Sequence, residues 1–196
     1  MSASPRHHIL TLDDYFSAER NSPDRHEFAD GQIYLMAGGS PRHDYLETRI
    51  IQLLGPRLEG GPCYAMSSNR RIATADELYT YADGSVFCGE MALGPQQTAT
   101  NPVVLFEILS DGTRAYDRGE KLTRYRSIPS LRHVVLIEQD GVDVEVWSRS
   151  GETWSRMVHV DRADRVCLPG IQVEISVGEI YAGADRFPTS GPVEEA

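Results

Sequence analysis

Lysine is almost missing from this chain of 196 residues: of its nineteen basic side chains, all but Lys121 are arginine. Most surface positions accept either residue, so a position that stays lysine can mark a need for a compact ammonium, although chance alone could also leave one. Basic charge is short overall, with nineteen Lys+Arg against twenty-nine Asp+Glu and a formal charge of −10. That balance excludes general adhesion to nucleic acid or to an anionic membrane surface. Any nucleic-acid contact has to be local or helped by metal ions. Cysteine is scarce as well: Cys63, Cys88 and Cys167 are odd in number, far apart and without the short pair spacing of a zinc or redox site. The expectation is three reduced core thiols in a cytoplasmic protein. No apolar run approaches the roughly 18 residues of a spanning helix. Nothing hydrophobic follows Met1 to His8 that could act as a signal peptide, so no membrane partner is expected.

What is present fits one globular domain, with 40% hydrophobic and 24% charged residues. The reading is a flexible N-terminus over 1–10, a single domain over 11–182 and a flexible tail over 183–196. Thr11 before Leu12-Asp13-Asp14 reads as the cap of a short helix that runs to about Arg20. Two extended pieces from His26 to Met36 surround Asp30-Gly31, a hairpin signal. Leu46, Ile50, Leu53, Leu54 and Leu58 recur at helical spacing, giving a helix from about Arg42 to Glu59. Strands are expected over Cys63 to Ala73, Tyr81 to Cys88 and Val103 to Leu109, followed by a helix over Thr113 to Ser127 and a strand over Arg132 to Glu138. Val142 to Trp147 and Trp154 to Val160 form a second hairpin around Ser150-Gly151, and Val166 to Val173 and Val177 to Tyr181 close the domain. The fold class is α/β (α+β), a mixed β-sheet flanked by helices with core order αβββαβ and a hairpin added at each end.

Two acids stand out because of where they sit. Glu107 lies within the apolar run VVLFEILS, and Asp83 lies beside Val86 and Phe87 in YADGSVFCGE. A carboxylate in such surroundings needs an ion pair, hydrogen bonds or a metal. An arginine partner is one solution. The other brings Asp83 and Glu107 together at one edge of the sheet as hard oxygen ligands for Mg²⁺. Lys121, on the helix after the Glu107 strand, can fold back to that edge. Acids with a nearby lysine suit metal-assisted phosphodiester hydrolysis.

The segments HEFADGQIYLMAGGSPRH, YADGSVFCG and NPVVLFEILSDGTRAYDRGEKLTRYRSIPSLRHVVLIEQD resemble the Uma-type family of restriction endonucleases, within the PD-(D/E)XK nuclease superfamily. The likeness runs from about Thr11 to Tyr181. It implies a restriction-endonuclease-like fold, DNA as substrate and a Mg²⁺ or Mn²⁺ cofactor. Asp83 and Glu107 match the family's metal-binding acids. Leu109 stands where the superfamily lysine is usual, and Lys121 occupies the place to which the family moves that cation. Glu27 matches the acid of the first hairpin and His43 the histidine that opens the long helix, each able to serve as an extra ligand or proton-handling group. Ala82, Gly84, Asp111 and Gly112 depart from the family pattern without removing a ligand.

Other residues carry weaker signals. Asp117 and Arg118 read as helix-surface pairs, or Asp117 as positioning Lys121; Tyr125 reads as packing, and Asn69, Arg70 and Arg71 read either as phosphate contacts or as a solvated face. Trp147 and Trp154 read as core or dimer contacts more than as base-stacking groups. The expected function is a metal-dependent endodeoxyribonuclease, with a homodimer compatible with cutting two strands. The alternatives are a catalytically inactive nuclease-fold module that binds DNA or protein, and a different metal-dependent hydrolase on the same scaffold.

Overall fold

The computed structural model describes residues 9–36 and 38–189. The expected flexibility of residues 1–8 and 190–196 therefore lies outside the described residues. Helix α1, Leu12–Asn21, starts at Thr11, whose side chain caps Asp14 while the Asp14 carboxylate reaches back to the Thr11 amide. Strands β1, His26–Ala29, and β2, Gln32–Leu35, pair through a turn in which Asp30 and Gly31 both take positive φ, 51° and 73°. This is the geometry that a tight Asp-Gly hairpin requires. Helix α2, Pro41–Leu58, is capped by Ser40 and buries Leu46, Ile50, Leu53, Leu54 and Leu58 on one stripe.

Two expected strands each divide in two, and the divisions build the cleft. Cys63 to Ala73 splits into β3, Cys63–Ser67, and β4, Arg71–Ala73, because Ser68 to Arg70 close a turn with the Arg70 amide on the Ser67 carbonyl. Tyr81 to Cys88 splits into β5, Tyr79–Tyr81, and β6, Gly84–Cys88. The halves join different sheets. A four-stranded sheet runs β2-β1-β5-β4, while β3 and β6 join a larger one. That second sheet also contains β7, Val104–Leu109, β8, His133–Glu138, β9, Val144–Ser150, and β10, Thr153–His159, in the six-stranded order β10-β9-β8-β7-β6-β3. Only β7 and β8 pair in parallel in it, the connection being helical. With α2 before β3 and a helix between β7 and β8, the large sheet realises the expected αβββαβ order as a mixed α/β fold.

The segment after β7 is not the uniform helix its sequence suggests. It comprises α3, Arg114–Tyr116, a π turn over Asp117–Lys121, and α4, Leu122–Tyr125. Val166 to Val173 is likewise interrupted: β11, Arg165–Leu168, and β12, Val173–Ser176, flank a turn at Pro169–Ile171, and Val177–Tyr181 is helix α5. Gly183 onward does not behave as a free tail as far as Phe187. Arg42 donates to the Ala184 and Phe187 carbonyls at 3.0 and 3.1 Å, and the Phe187 ring lies 5.0 Å from Tyr45. At the other end, the Leu10 amide bonds to Gly31, so order begins before Thr11.

One core packs α2, α5 and the β11–β12 hairpin against the large sheet through Leu54, Phe106, Val135 and Tyr181. The opposite face buries Leu105, Leu109, Leu122, Tyr125 and Leu136. Tyr15, Phe16, Phe28 and Tyr79 form a third cluster under the small sheet. No helix among the described residues is long and apolar enough to cross a membrane.

The cysteines depart from expectation. Cys63 and Cys88 are direct partners across β3 and β6 and form a disulfide, while Cys167 is free and exposed on β11. Their separation along the chain hid a pairing that the antiparallel register creates. Because the bridge closes a loop of 25 residues, its reduction, or Cys88→Ser, is expected to lower unfolding stability by about 3 kcal/mol. Urea denaturation with and without reductant measures this; coincident curves would mean that the bridge contributes nothing.

Candidate functional site

Several chain segments that meet at the cleft deliver polar side chains into its wall. Strand β1 presents Glu27, buried, with the Thr80 hydroxyl of β5 donating to its carboxylate. Strand β7 presents Glu107, inside a run in which every residue is buried. The π turn directs both Asp117 and Lys121 inward, and both are buried. Lys121 Nζ lies 3.0 Å from Glu27 Oε1, 3.1 Å from Glu107 Oε1 and 3.6 Å from Asp117 Oδ1. The one ammonium therefore ties the small sheet, the large sheet and its own helix together. Tyr125, one turn further along, donates its hydroxyl to Glu107 Oε1. The packing role read for Tyr125 thus misses part of what it does: the ring is buried in the core, and the hydroxyl holds a carboxylate of the site.

Asp83 does not begin a strand. It occupies the step between β5 and β6, where the chain passes from one sheet to the other. Its Oδ2 accepts the Ile108 amide at 2.6 Å, which fixes it beside Glu107. His43 approaches from the first turn of α2, with Nε2 at 3.3 Å from the same Asp83 oxygen. Glu27, His43, Asp83, Glu107, Asp117 and Lys121 all line one cleft of about 630 Å³. Asn69, Arg70 and Arg71 do not line it. Arg71 instead lies over the Phe16 ring and 3.8 Å from Glu19, a packing role.

The electrostatics follow from burial of unequal charge. Six carboxylates line the cleft with one lysine and one histidine; Glu27, Glu107 and Asp117 are buried in its wall and Asp83 is beside them, while Asp111 and Glu120 are exposed. Burial pushes the Glu107 carboxyl well above the ordinary range, with Asp83 and Asp117 adding to the effect against the opposing pull of Lys121 and Tyr125. Burial raises Asp117 too, against Lys121 and Thr113. Burial disfavours the Lys121 charge, but Glu107, Tyr125, Glu27 and Asp117 more than compensate and hold it protonated. For His43, burial is outweighed by the hydrogen bond and charge of Asp83, with Glu47 and Asp44 behind it, and its pKa is raised.

A second donor set touches this one. His43, Asp44 and Glu47 place one ligand atom each within 4.8 Å of one another, a group that could hold a divalent metal. His43 Nδ1 is buried and has no hydrogen-bond partner. The space beside it is kept open by Gly39, where a Cβ would stand 2.6 Å from both His43 Nδ1 and Asp44 Oδ1. Glu47 is oriented by the Ser68 hydroxyl at 2.6 Å. The sequence reading identified His43 but not Asp44 or Glu47. The His43/Glu47 spacing of i, i+4 on a helix face was the signal available. Hard carboxylate oxygens with one imidazole suit Mg²⁺ or Mn²⁺.

Comparison with known proteins gives a consistent picture. The profile of the family Uma2, described as "Putative restriction endonuclease", matches residues 12–178. The uncharacterized protein slr1290 from Synechocystis sp. is 31% identical over 175 residues, covering 89% of this chain and 92% of the relative. A second uncharacterized Synechocystis protein, sll1609, is 31% identical over 147 residues, covering 74% of this chain and 83% of its own. Among solved structures, a protein from Anabaena variabilis described as "a putative nuclease belonging to DUF820" superposes with a TM-score of 0.72 at 16% identity, covering 89% of this chain and 99% of that one. At that identity the likeness is one of fold.

The ion cluster makes a thermodynamic prediction. Lys121→Met leaves Glu27 and Glu107 buried without their cation, and is expected to cost about 3–5 kcal/mol at pH 7.5. A carboxyl group whose folded pKa lies above its unfolded value contributes stability below the unfolded value and loses it as pH rises through the folded one. The deficit should therefore shrink as pH falls toward 5 and Glu107, whose carboxyl is raised by burial, takes up a proton. Urea unfolding of both proteins in EDTA at the two pH values tests this; an equal deficit at both would show that uncompensated carboxylates are not its source.

Proposed function

This chain belongs to the Uma2 family, within the PD-(D/E)XK-like nucleases, and from that premise we propose that it is a metal-dependent endonuclease that hydrolyses DNA phosphodiester bonds. The observation that carries the reading is the convergence of the chain's single lysine with Glu27, Glu107 and Asp117 on the cleft where Asp83 and His43 meet. In a protein short of cations, so many carboxylates in one wall are a place for a metal ion as much as for a lysine.

Asp83 and Glu107 are the residues that would hold Mg²⁺ or Mn²⁺, with His43, Asp44 and Glu47 offering a neighbouring set of donors. A divalent ion there supplies a Lewis acid for the phosphate and lowers the pKa of a water. The protein's own groups do the rest. The Ile108 amide and His43 fix the orientation of Asp83. Tyr125 fixes Glu107. Lys121, held by three carboxylates, presents a fixed positive charge toward the phosphate and orients the attacking water. His43, with its raised pKa, is placed to pass a proton to or from the cleft. The cleft's volume, about 630 Å³, with Tyr34, Tyr116 and Ser110 in its lining, leaves room for a phosphodiester segment.

A second reading, a nuclease-fold binding module without catalysis, is favoured by one feature: the Lys121 ammonium is already engaged by three carboxylates. Metal binding separates the two readings. Wild type is expected to nick supercoiled plasmid with Mg²⁺ or Mn²⁺, whereas Asp83→Asn and Lys121→Arg lose about a hundredfold or more in rate. The arginine variant keeps the charge but not the compact ammonium that fits between Glu27 and Glu107. Titration calorimetry is expected to show Mn²⁺ binding by wild type that weakens in Asp83→Asn. A folded wild type that neither cuts nor binds metal would replace the enzyme with the binding module. Wild-type turnover by Lys121→Arg would remove the role assigned to that lysine.

A further inference from the structure

Arginine is the chain's principal cation, and most arginines are committed to carboxylates: Arg114 to Glu138, Arg118 to Glu145, Arg124 to Asp30, Arg156 to Glu145 and Arg165 to Glu174. Three that lie together are not. Arg126 makes no side-chain hydrogen bond or ion pair among the described residues; its guanidinium lies 4.5 Å from the Trp147 ring centre and 5.9 Å from that of Trp154. Arg149 lies 4.9 Å over Trp154 and donates only to backbone carbonyls, those of Arg126, Ile128 and Pro129. Arg132, whose carbonyl accepts the Arg149 amide, is exposed and has no carboxylate partner among the described residues. In a protein of formal charge −10 this is an uncompensated positive patch built on two half-buried indoles.

Two donors in the patch are unspent. Arg126 Nε and Trp147 Nε1 are both buried without a hydrogen-bond partner. The patch also has a direction. The groove lined by Arg126 and Trp147 also carries Asp30, Asp76 and Glu120, three carboxylates that Arg124 engages, and Glu120 lines the cleft that holds Lys121 as well.

We propose that the Arg126–Trp147–Trp154–Arg149 stack is a binding platform for an unpaired nucleic-acid strand that leaves the cleft across the helix between β7 and β8. The inference rests on the nuclease reading for the strand's presence in the cleft, and it adds a substrate class: DNA with a single-stranded segment beside the scissile bond. The half-buried indoles leave aromatic surface on which unpaired bases can stack, while the guanidiniums beside them meet phosphates. Paired bases within a duplex cannot offer those faces, so the platform discriminates by strandedness. Sequence reading favoured core or dimer packing for the two tryptophans; the arginines stacked on them are what alters that reading.

Trp147 and Trp154 are the only tryptophans in the chain, so tryptophan emission, excited beyond the absorption of the tyrosines, reports this patch alone. In EDTA, where no metal-dependent turnover occurs, titration with a 16-mer oligothymidylate is expected to quench tryptophan emission saturably and to weaken with added salt. Binding of a blunt duplex of equal length is expected to be at least tenfold weaker. Arg126→Ala removes no hydrogen bond from the fold; it should weaken oligothymidylate binding about tenfold and reduce the log–log salt slope by about 0.7. Absence of quenching, equal affinity for duplex and single strand, or quenching by phosphatidylserine vesicles but not by the oligonucleotide would each overturn the platform. Plasmid cleavage run in parallel keeps the two readings apart. Nicking without oligonucleotide quenching removes the platform and leaves the nuclease, whereas quenching without nicking removes the nuclease and leaves a single-strand binding surface.

Discussion

A single buried ammonium among carboxylates is the constraint around which the rest of this structure is arranged. Lys121 bridges Glu27 on the small sheet and Glu107 on the large one, so the two sheets are joined through one buried ammonium. Burying an ion pair gains little by itself, because desolvation offsets most of the Coulomb attraction. Its value lies in position. With every partner satisfied at once by Lys121, Tyr125 and Thr80, the acids are held at fixed points in a wall that would otherwise have to be apolar. The pattern is that of a preorganised site, in which side chains are oriented before a ligand arrives.

Much of this was legible in the sequence, and the reasons differ by residue. Glu107 was visible because an acid inside VVLFEILS contradicts its surroundings. Asp83 was visible beside Val86 and Phe87, Lys121 because arginine had taken every other basic position, and Glu27 and His43 came from the resemblance of their segments to a family. The core helix and the central strands followed from periodicity alone. What stayed hidden depended on tertiary register. Asp83 reads as a strand residue because Tyr81 to Cys88 reads as one strand; the Asp83-Gly84 pair, a turn signal, is the local mark of the change of sheet. Tyr125 read as packing because nothing in the sequence places its hydroxyl against Glu107. Cys63 and Cys88, twenty-five positions apart, become neighbours only through the β3–β6 register.

The distribution of arginine gives the surface its second level of organisation. Ion pairs with Asp and Glu neutralise most guanidiniums where they stand, so the net negative charge is spread over the surface while positive charge survives only where no acid was placed. Around Trp147 and Trp154 the local charge opposes the global one. Composition alone could not show this, because a formal sum over the chain erases the pattern that matters to a polyanion.

The π turn at Asp117–Lys121 sets how this protein can change over evolutionary time. It widens the helix by a residue and brings Asp117 and Lys121, four apart, to the same inward face. Each residue of helix turns the next by about 100°. Losing one residue between Ser110 and Lys121 would swing the ammonium out of the wall, and gaining one would do the same in the other sense. Substitutions on the exposed side of this helix, at Gly119 or Thr123, leave the geometry untouched. The segment is therefore permissive to changes of residue type and intolerant of changes in length, the reverse of what is ordinarily true of a surface connection between two strands.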